Sequence, residues 1–455
     1  MTKLAVFGLG KLGSSMAVAF ASRGFEVVGV DIHRKAVELV NAGKAPTEEP
    51  GLQMLLDQNR TRIKATESVQ EAVDHADTSF VVVPTPSEPD GAFSLEYAKH
   101  AFTEIGRALK AKKQYHTVVM TSTVLPGATR HGLLPILERE SGKKCGPDFG
   151  LCYNPEFIAL GTVIRDFLNP DFYLLGQFDE RSGNVLEGVH RQVSENRAPV
   201  KRMSLENAEL AKIAVNSFVT MKISFANLMA ELCEKIPGGD VDIVSDALGM
   251  DKRIGRKYLT GGLGFGGPCF PRDNVALEFM GRILGLDAQL LRANHDYNEG
   301  FGRRLTRKIL EMVPRGSTVA VLGLAYKPQT PVVQDSPGVA ICRALSDGGF
   351  RVIGHDPLAV NEATGILRYH VLLTSDLGEA LRGADAVVLT TTDECYRDLK
   401  ADDFRSGGSP VVVLDPWRCL SGSLLEEPRV RYVPLGRAGA EVTGDSLNRR
   451  WGQGT

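Results

Sequence analysis

The chain has 455 residues, which is too long for a single hydrophobic core and indicates two or three domains. With a formal net charge of -2 and a pI near 6.5, it has no overall attraction for nucleic acid or for an anionic membrane. Its seven scattered cysteines show no CxxC spacing, so neither a disulfide framework nor a metal site is expected. No uninterrupted apolar run reaches membrane-spanning length, and the first strand starts too early for a signal peptide. We therefore expect a soluble, cytoplasmic protein.

The first 31 residues predict a strand, a glycine turn, a helix and a second strand. The turn has the spacing Gly-x-Gly-x-x-Gly, in which Gly8 makes the bend, Gly10 admits a pyrophosphate and Gly13 lets the helix pack on the strand. Asp31 ends the second strand and is placed to bind a ribose diol, which favours NAD over NADP; nearby Arg34 leaves NADP open. The predicted cofactor contacts of the turn are Gly8, Gly10, Leu12 and Gly13.

Polar residues follow three further predicted strands of this half. They are Thr85 after one strand, Thr123 after the next and Glu156 after the third, and two apolar neighbours, Pro86 and Phe157, accompany Thr85 and Glu156. In an open α/β sheet, ligands bind beyond the carboxyl ends of the strands, so these residues are candidates for cofactor or substrate contacts. The alternatives are loop capping by the hydroxyl groups and a solvated surface position for the glutamate.

The middle of the chain is predicted to be helical. Apolar residues recur at helical spacing over 205–234, which predicts a long helix that spans two lobes or pairs with a second subunit. Lys212 and Asn216 stand four apart and share one face of it, although a lone lysine on a helix is often only solvated. A second helical stretch is predicted over 286–312.

The most informative run is 264–273, with the sequence GFGGPCFPRD. Its glycines let backbone and ligand approach Cys269 closely, Arg272 favours the thiolate, and Asp273 supplies a base. Together with a dinucleotide unit, a nucleophilic cysteine predicts oxidation through a thiohemiacetal and a thioester. The alternative is a buried structural cysteine.

An internal repeat of the first strand–turn–helix–strand pattern begins near residue 317. The segments 317–324 and 349–356 resemble the first strand with its turn and the second strand with its acid, which predicts a second Rossmann-like unit without a full glycine motif. We expect this unit to bind something other than a second NAD. Lys327 is placed to hold a diphosphate at a helix start, and Arg418 follows the last predicted strand. The polar tail after residue 436 is expected to be loosely ordered.

In chain order these pieces resemble the UDP-glucose/GDP-mannose dehydrogenase family over roughly residues 1–436. The resemblance implies an α/β fold with two Rossmann-like doubly wound domains joined by a central helical dimerisation region. It also implies NAD-dependent, four-electron oxidation of a nucleotide-diphosphate hexose at C6. Besides the runs above, it rests on Glu49-Pro50-Gly51-Leu52, Ser122-Thr123-Val124, Asn154-Pro155-Glu156-Phe157, Glu209 to Asn216, Arg253-Ile254-Gly255, Gly323 to Pro328 and Asp356-Pro357.

The resemblance sets the expected domain bounds and assembly. They are an N-terminal NAD-binding domain at 1–203, a central helical domain at 204–300, a C-terminal nucleotide-sugar-binding domain at 301–436 and a polar tail at 437–455. A homodimer is expected.

Carried over residue by residue, the resemblance implies Cys269 as the nucleophile, with Lys212 and Asn216 stabilising the oxyanion. Asp273, or a water that it holds with Thr123, would be the base of the first oxidation, and Glu156 would drive hydrolysis. The implied cofactor set is Gly8, Gly10, Leu12, Gly13, Asp31, Thr85, Pro86 and Thr123. The implied substrate set is Glu156, Phe157, Lys212, Asn216, Arg253, Phe265, Gly266, Gly267, Lys327 and Arg418.

Five positions depart from the usual family pattern: Leu160, Phe172, Arg272, Pro331 and Gln334.

UDP-glucose is the first expectation for the substrate, followed by TDP-glucose, GDP-mannose and a UDP-N-acetylhexosamine. Two other classes stay open. One is a two-electron dehydrogenase of the 6-phosphogluconate or 3-hydroxy acid type, and the other is a non-catalytic nucleotide-sugar binder.

Overall fold

The structure, a computed structural model, describes residues 2–159, 161–367, 371–404 and 409–451. The chain divides into two compact units. The first comprises Met1–Val215 and Ala276–Leu286, and the second comprises Asn216–Val275 and Asp287–Thr455. The division into three domains and a tail remains a prediction from the sequence.

The first unit is built on an eight-stranded sheet in the order β3-β2-β1-β4-β5-β6-β7-β8. Neighbouring strands are parallel except for the antiparallel pair β6 and β7. The order of the first six strands is that of a dinucleotide-binding Rossmann sheet. The strands are β1 (Lys3–Phe7), β2 (Glu26–Val30), β3 (Ile63–Thr66), β4 (Thr78–Val81), β5 (Thr117–Met120), β6 (Gly150–Tyr153), β7 (Tyr173–Gln177) and β8 (Val200–Ser204).

Helices cover both faces of this sheet and bury two apolar cores. On one face the rings of Phe20, Phe80 and Phe167 meet, with ring centroids 4.8 Å and 5.2 Å apart. The helices are α1 (Lys11–Ser22), α2 (Arg34–Asn41), α3 (Leu52–Gln58), α4 (Val69–His75), α5 (Glu96–Ala111), α6 (Leu134–Ser141), α7 (Val163–Leu168) and α8 (Glu180–Val193).

A 29-residue helix, α9 (Leu205–Cys233), follows the last strand of the first sheet, as the apolar spacing predicts. By length and composition alone it could cross a membrane, a test that core helices of soluble proteins also pass. Several of its large apolar side chains are exposed, including Phe218 at 66% and Phe225 at 48%.

The remaining helices are shorter. The predicted stretch 286–312 contains two helices rather than one, because Gly300 interrupts the helical pattern between them. Within the predicted tail, the structure describes a short helix, α18. The helices are α10 (Val241–Met250), α11 (Phe270–Ile283), α12 (Gln289–Glu299), α13 (Phe301–Leu310), α14 (Pro337–Asp347), α15 (Val360–Leu367), α16 (Leu377–Leu381), α17 (Glu394–Arg397) and α18 (Asp445–Trp451).

The second unit contains a six-stranded parallel sheet in the order β11-β10-β9-β12-β13-β14. Its strand order matches that of the first six strands of the first sheet, so the predicted pair of Rossmann-like sheets is confirmed. The strands are β9 (Thr318–Leu322), β10 (Arg351–His355), β11 (Val371–Thr374), β12 (Ala386–Leu389), β13 (Val411–Asp415) and β14 (Val430–Pro434).

Candidate active site

The glycine turn between β1 and α1 is closely packed at two of its glycines and open at the third. A Cβ atom on Gly8, whose φ is +96°, would lie 2.4 Å from the carbonyl oxygen of Val82, and one on Gly13 would lie 1.8 Å from the carbonyl oxygen of Gly8. Around the Gly10 position, no described atom comes within 4 Å of such a Cβ. The turn therefore leaves space above Gly10, next to the half-buried Leu12, which fits the pyrophosphate of a dinucleotide.

The acids that directly follow the second strand of each sheet, Asp31 and Asp356, accept different numbers of hydrogen bonds. Asp31 is half-buried, and its two oxygens accept one hydrogen bond each, from the amides of Leu9 and His33 at 2.7 Å. Asp356 is only 3% exposed and accepts four backbone bonds at 2.8–2.9 Å, from Leu324, Ala325, Leu358 and Ala359. Asp31 thus keeps acceptor capacity for a ribose diol, whereas the carboxylate of Asp356 is committed to its own backbone.

Hydroxyl groups tie together the loops that follow β4 and β5. Thr85 Oγ1 donates to the carbonyl oxygen of Thr123 at 2.8 Å, and Ser122 Oγ donates to that of Val83 at 2.6 Å. Thr85 is 5% exposed, Thr123 is half-buried and Pro86 is exposed. The structure therefore brings Thr85 and Thr123 together at the carboxyl edge of the first sheet, which is the edge predicted for the cofactor.

Glu156, Phe157 and Lys212 form one cluster in the first unit. Lys212 is 7% exposed, its Nζ donates to the carbonyl oxygen of Glu156 at 2.6 Å, and it lies 4.4 Å from the centroid of the Phe157 ring. Phe172, one of the departures from the family pattern, packs on Phe157 with ring centroids 5.2 Å apart. The cluster gives Lys212 a fixed place rather than a solvated one.

The carboxyl group of Glu156 has a pKa that is raised towards neutral pH. Its Oε1 is buried and has no hydrogen-bond partner among the described residues. Burial raises the pKa of Glu156 to about 8, and the positive charge of Lys212 offsets part of that rise. A carboxyl with such a pKa exchanges protons near neutral pH, as a general base for water requires.

Two polar residues without a role in the sequence-based prediction hold the backbone around Glu156. Asn154 accepts a bond from His190 Nε2 at 2.7 Å, and the carboxylate of Glu49 accepts from the amides of Gly161 at 3.2 Å and Val163 at 2.9 Å. Both Asn154 and Glu49 lie in motifs that carry the family resemblance, but the motifs do not reveal these bonds. Leu160 lies outside the described residues.

Cys269 lies immediately before α11 in the second unit, and it is exposed. Its carbonyl oxygen accepts a bond from the amide of Asp273 at 2.9 Å, so the residue stands at the N-terminal end of the helix. The positive end of a helix dipole favours an anion at this place. The phenol of Tyr326 lies near the Cys269 thiol. Burial raises the pKa of Tyr326, and the charge interaction with Cys269 raises it further. The exposed position excludes the buried structural alternative for Cys269.

Asp273 is 2% exposed and bonds the amide of Asn216. Asn216 Nδ2 donates to Asp273 Oδ2 at 2.6 Å, and Arg272 Nε lies 3.6 Å from Asp273 Oδ1. Two of the predicted catalytic residues are therefore in direct contact. Arg272 keeps a positive charge at this position, in an ion pair with the neighbouring carboxylate.

The glycine run before Cys269 lies against neighbouring backbone and rings. A Cβ atom on Gly266 would lie 2.1 Å from the carbonyl oxygen of Asp335, and one on Gly267 would lie 2.5 Å from the Tyr326 ring. The amide of Gly267 donates to the carbonyl oxygen of Gln334 at 3.1 Å. The segment that contains the departures Pro331 and Gln334 therefore contacts the cysteine run through its main chain.

Two asparagines that the sequence does not single out fix the same run. Asn298 bonds both the amide and the carbonyl of Phe265, at 2.8 Å and 2.9 Å. Asn227 bonds the carbonyl of Leu263 at 3.0 Å and the amide of Gly262 at 2.7 Å. The side chain of Phe265 is itself buried, at 5% exposed. Isolated amides on helices carry no motif, so no sequence signal marks them.

The three predicted cations of the second unit differ in their surroundings. Lys327 is half-buried and lies 5.8 Å from the centroid of the Tyr326 ring. The side chain of Arg253 is 87% exposed and pairs with Asp251. The side chain of Arg418 is 2% exposed, and all five of its N–H donors bond Asp242 or the carbonyls of Thr260, Pro416 and Leu435. This leaves Arg418 no donor for a substrate, which weighs against the predicted contact.

The fold and these residues define a class of protein. A Rossmann sheet with an open glycine turn, and with an acid that keeps acceptor capacity after the second strand, is typical of a dinucleotide-dependent oxidoreductase. A thiol at a helix start is the type of group that can act as a nucleophile in such a protein.

Comparison with known proteins places the chain within this class. Residues 2–194 match the NAD binding domain of the UDP-glucose/GDP-mannose dehydrogenase family, residues 206–300 its central domain, and residues 320–422 its UDP binding domain. The chain belongs to the UDP-glucose/GDP-mannose dehydrogenase family. It is thus an NAD-dependent nucleotide-sugar 6-dehydrogenase, as the resemblance implies.

Individual relatives cover nearly the whole chain. UDP-glucose 6-dehydrogenase AglM of Haloferax volcanii is 37% identical over 416 residues, which is 90% of this chain and 96% of that protein. GDP-mannose 6-dehydrogenase of Pseudomonas aeruginosa is 34% identical over 419 residues, or 87% and 93% of the two chains. The structure of a UDP-glucose dehydrogenase from Pyrobaculum islandicum has a TM-score of 0.86 and 36% identity, covering 96% of this chain and 98% of that one.

Proposed function

We propose that this protein oxidises UDP-glucose to UDP-glucuronate through a covalent intermediate on Cys269. The observation that carries the proposal is the exposed thiol at the head of α11, beside a buried Asp273 that bonds Asn216. A two-electron dehydrogenase has no use for such a thiol, and neither has a non-catalytic binder. Bound NAD supplies the hydride acceptor for both oxidations, one molecule for each; Gly10, Asp31, Thr85 and Thr123 are proposed to hold it.

In the proposed first oxidation, the C6 alcohol becomes an aldehyde. Asp273, directly or through a water shared with Thr123, takes the hydroxyl proton as the hydride departs from C6. The Cys269 thiolate then adds to the aldehyde carbon, and the carbonyl electron pair becomes an oxyanion. Lys212 and Asn216, one turn apart on α9, stabilise that oxyanion by charge and hydrogen bonding.

In the second half, the thiohemiacetal loses a hydride from C6 and becomes a thioester. Glu156 takes a proton from water, whose oxygen attacks the thioester carbonyl. The C–S bond breaks, the carboxylate is released and the Cys269 thiol is restored. The buried, unpartnered Oε1 of Glu156 and its pKa of about 8 support this assignment.

UDP-glucose ranks first because AglM, at 37% identity, is named for it. GDP-mannose is the main alternative, since a relative at 34% identity acts on it. TDP-glucose and the UDP-N-acetylhexosamines follow.

Lys327 is proposed to bind the diphosphate and Phe157 the sugar. Gly266 and Gly267 are proposed to contact the substrate closely, and Arg253 is proposed to reach it from a partner subunit.

We also propose a homodimer that assembles through α9. Exposed Phe218, Phe225 and Leu232 recur every seven residues, with Leu228 between them, and form an apolar stripe along the helix. The cytoplasm stays the proposed location, since no disulfide joins the seven cysteines, all of which lie in the part of the chain that the structure describes.

The test is the yield of NADH per sugar nucleotide consumed by purified protein, with the four candidate substrates run in parallel. Two NADH per UDP-glucose, and the highest kcat/KM for that sugar, are expected. Cys269→Ser should lower acid formation about a thousandfold. Cys395→Ser, which removes another exposed thiol, should leave it unchanged. One NADH per sugar, or full activity of Cys269→Ser, would contradict the thioester route.

A further inference from the structure

A buried polar cluster joins three helices of the second unit directly behind the cysteine run. It consists of Thr220 on α9, Asn274 on α11 and Asn294 on α12, which are 0%, 1% and 7% exposed. A polar group in such a place costs free energy unless its hydrogen bonds are made. We call these three residues the amide–hydroxyl cluster.

The hydrogen bonds of the cluster fix the orientation of both amides. Thr220 Oγ1 donates to the carbonyl oxygen of Ser217 at 2.7 Å and accepts from Asn274 Nδ2 at 2.8 Å and Asn294 Nδ2 at 3.0 Å. Asn294 Nδ2 also donates to Asn274 Oδ1 at 3.2 Å. The Thr220 hydroxyl is thus the shared acceptor, and its removal would leave two buried amide groups short of a partner.

One bond leads from the cluster to the residue after the nucleophile. Asn274 Nδ2 donates its second hydrogen to the carbonyl oxygen of Phe270 at 2.8 Å. The preceding carbonyl, that of Cys269, accepts from the amide of Asp273. The first turn of α11 is therefore held both by its own helical bond and by the cluster. Cys269 immediately precedes this turn, and Asp273 belongs to it.

The cluster also sets the pairing of α9 with α11. Asn216 and Thr220 are one helical turn apart on α9, and their partners Asp273 and Asn274 are adjacent on α11. Two polar contacts in succession define how the helices are aligned, and apolar contacts alone specify such an alignment less uniquely. The contact of Asn216 with Asp273 thus lies next to the contact of Thr220 with Asn274.

We propose that Thr220, Asn274 and Asn294 are positioning residues, which set the direction of the Cys269 thiol and the Asp273 carboxylate for reaction. The inference rests on the proposed function of Cys269. In this proposal the cluster touches no reacting atom and acts through the Phe270 carbonyl and the alignment of α9 with α11. A cluster that only stabilised the fold would affect unfolding without affecting thiol chemistry in the folded protein.

The test uses one near-isosteric variant with two matched partners. Thr220→Val removes the shared hydroxyl, and Thr220→Ser keeps it. Thr306→Val removes a hydroxyl from another buried threonine of the same unit, which is 8% exposed and donates to the carbonyl of Gly302 within α13. Two properties are measured in the full chain: the alkylation rate of Cys269 by iodoacetamide at neutral pH, followed by peptide mass spectrometry, and the steady-state kcat and KM.

For Thr220→Val we expect kcat to fall about tenfold while KM changes by less than about twofold, because a small misplacement of reacting groups acts mainly on the chemical step. Its Cys269 alkylation rate should change by about threefold or more. Thr220→Ser and Thr306→Val should match the unmodified protein. An unchanged Thr220→Val, or an equal loss in Thr306→Val, would overturn the proposal.

If Thr220→Val does not fold, Asn294→Ala decides the question. It removes one donor at the edge of the cluster and should shift kcat and alkylation in the same direction by a smaller factor; unchanged values overturn the proposal. The alkylation assay needs no sugar nucleotide. A protein without turnover on any candidate substrate would therefore contradict the proposed function, while the effect of the cluster on Cys269 would still be measured.

Discussion

The chemistry of Glu156 depends on its surroundings, because its carboxyl is buried and the positive charge of Lys212 is nearby. If it activates the water that cleaves the thioester, Glu156→Gln should stop turnover after the second oxidation. We expect kcat to fall about a hundredfold or more, with the acyl group retained on Cys269. Intact-protein mass spectrometry after mixing with NAD and substrate would detect the adduct. The exposed Glu38→Gln serves as control, and an adduct-free but inactive Glu156→Gln would argue against a role in hydrolysis.

The same residue makes a prediction about stability. In the folded protein the pKa of Glu156 is about 8, above the ordinary value of 4.5. Between these values the folded chain keeps a proton that the unfolded chain has lost. The contribution of this carboxyl is therefore fully present below the unfolded pKa and is lost as pH rises to about 8. Relative to the unmodified protein, Glu156→Gln should gain about 2 kcal/mol or more in free energy of unfolding between about pH 5 and pH 8. Urea denaturation at both pH values checks this, and parallel curves for the two proteins would contradict it.

Residue type explains which parts of the site could be predicted from sequence. Cys269, Lys212 and Glu156 stand out because a thiol, a lysine and a carboxylate beside predicted ligand-binding loops suggest chemistry. Asn227 and Asn298 do not stand out, since an amide on a helix is compatible with any exposed position. Their roles depend on the backbone of a loop that is distant in sequence.

At the scale of elements, the glycine turn before α1 contains one glycine, Gly10, that faces open space for a ligand, and another, Gly13, that the fold requires because a side chain would not fit there. Gly10→Ala adds a Cβ into open space, so the protein should fold normally and bind NAD about tenfold more weakly. Gly13→Ala places a Cβ against the carbonyl of Gly8 and should cost about 3 kcal/mol of stability. Calorimetric titration with NAD and thermal unfolding measure the two effects. Equal stability of the two variants, or unchanged NAD binding by Gly10→Ala, would contradict this division.

Strands are predictable where both faces are buried. β1 and β5 read as continuous apolar runs, and the structure places them within the residues that the sequence predicts. The edge strand β8 is not predicted, because Val200–Ser204 contains a lysine and an arginine and has no fully buried residue. β7 is likewise not predicted, and it runs antiparallel to β6, a direction that an apolar run by itself does not specify.

At the scale of the whole molecule, the exposed stripe on α9 predicts assembly. Phe225→Glu places a charge in the middle of this stripe and should weaken self-association about a hundredfold or more, because a buried unpaired carboxylate is strongly unfavourable. Light scattering coupled to size exclusion should show a dimer for the unmodified protein and a monomer for the variant. Leu425→Glu, at another exposed leucine, should remain dimeric. A monomeric unmodified protein would contradict the proposed assembly.

Asp31 and Asp356 occupy equivalent places in the two Rossmann-like sheets but differ in how many hydrogen bonds they accept within the protein. Both acids directly follow the second strand of a Rossmann sheet, yet Asp31 accepts two backbone bonds and keeps acceptor capacity, whereas Asp356 accepts four. A sequence motif scores them alike. Counting the hydrogen bonds that each carboxylate already accepts shows which of the two can still accept one from a ligand, and the same count can be applied to other enzymes with two Rossmann-like sheets.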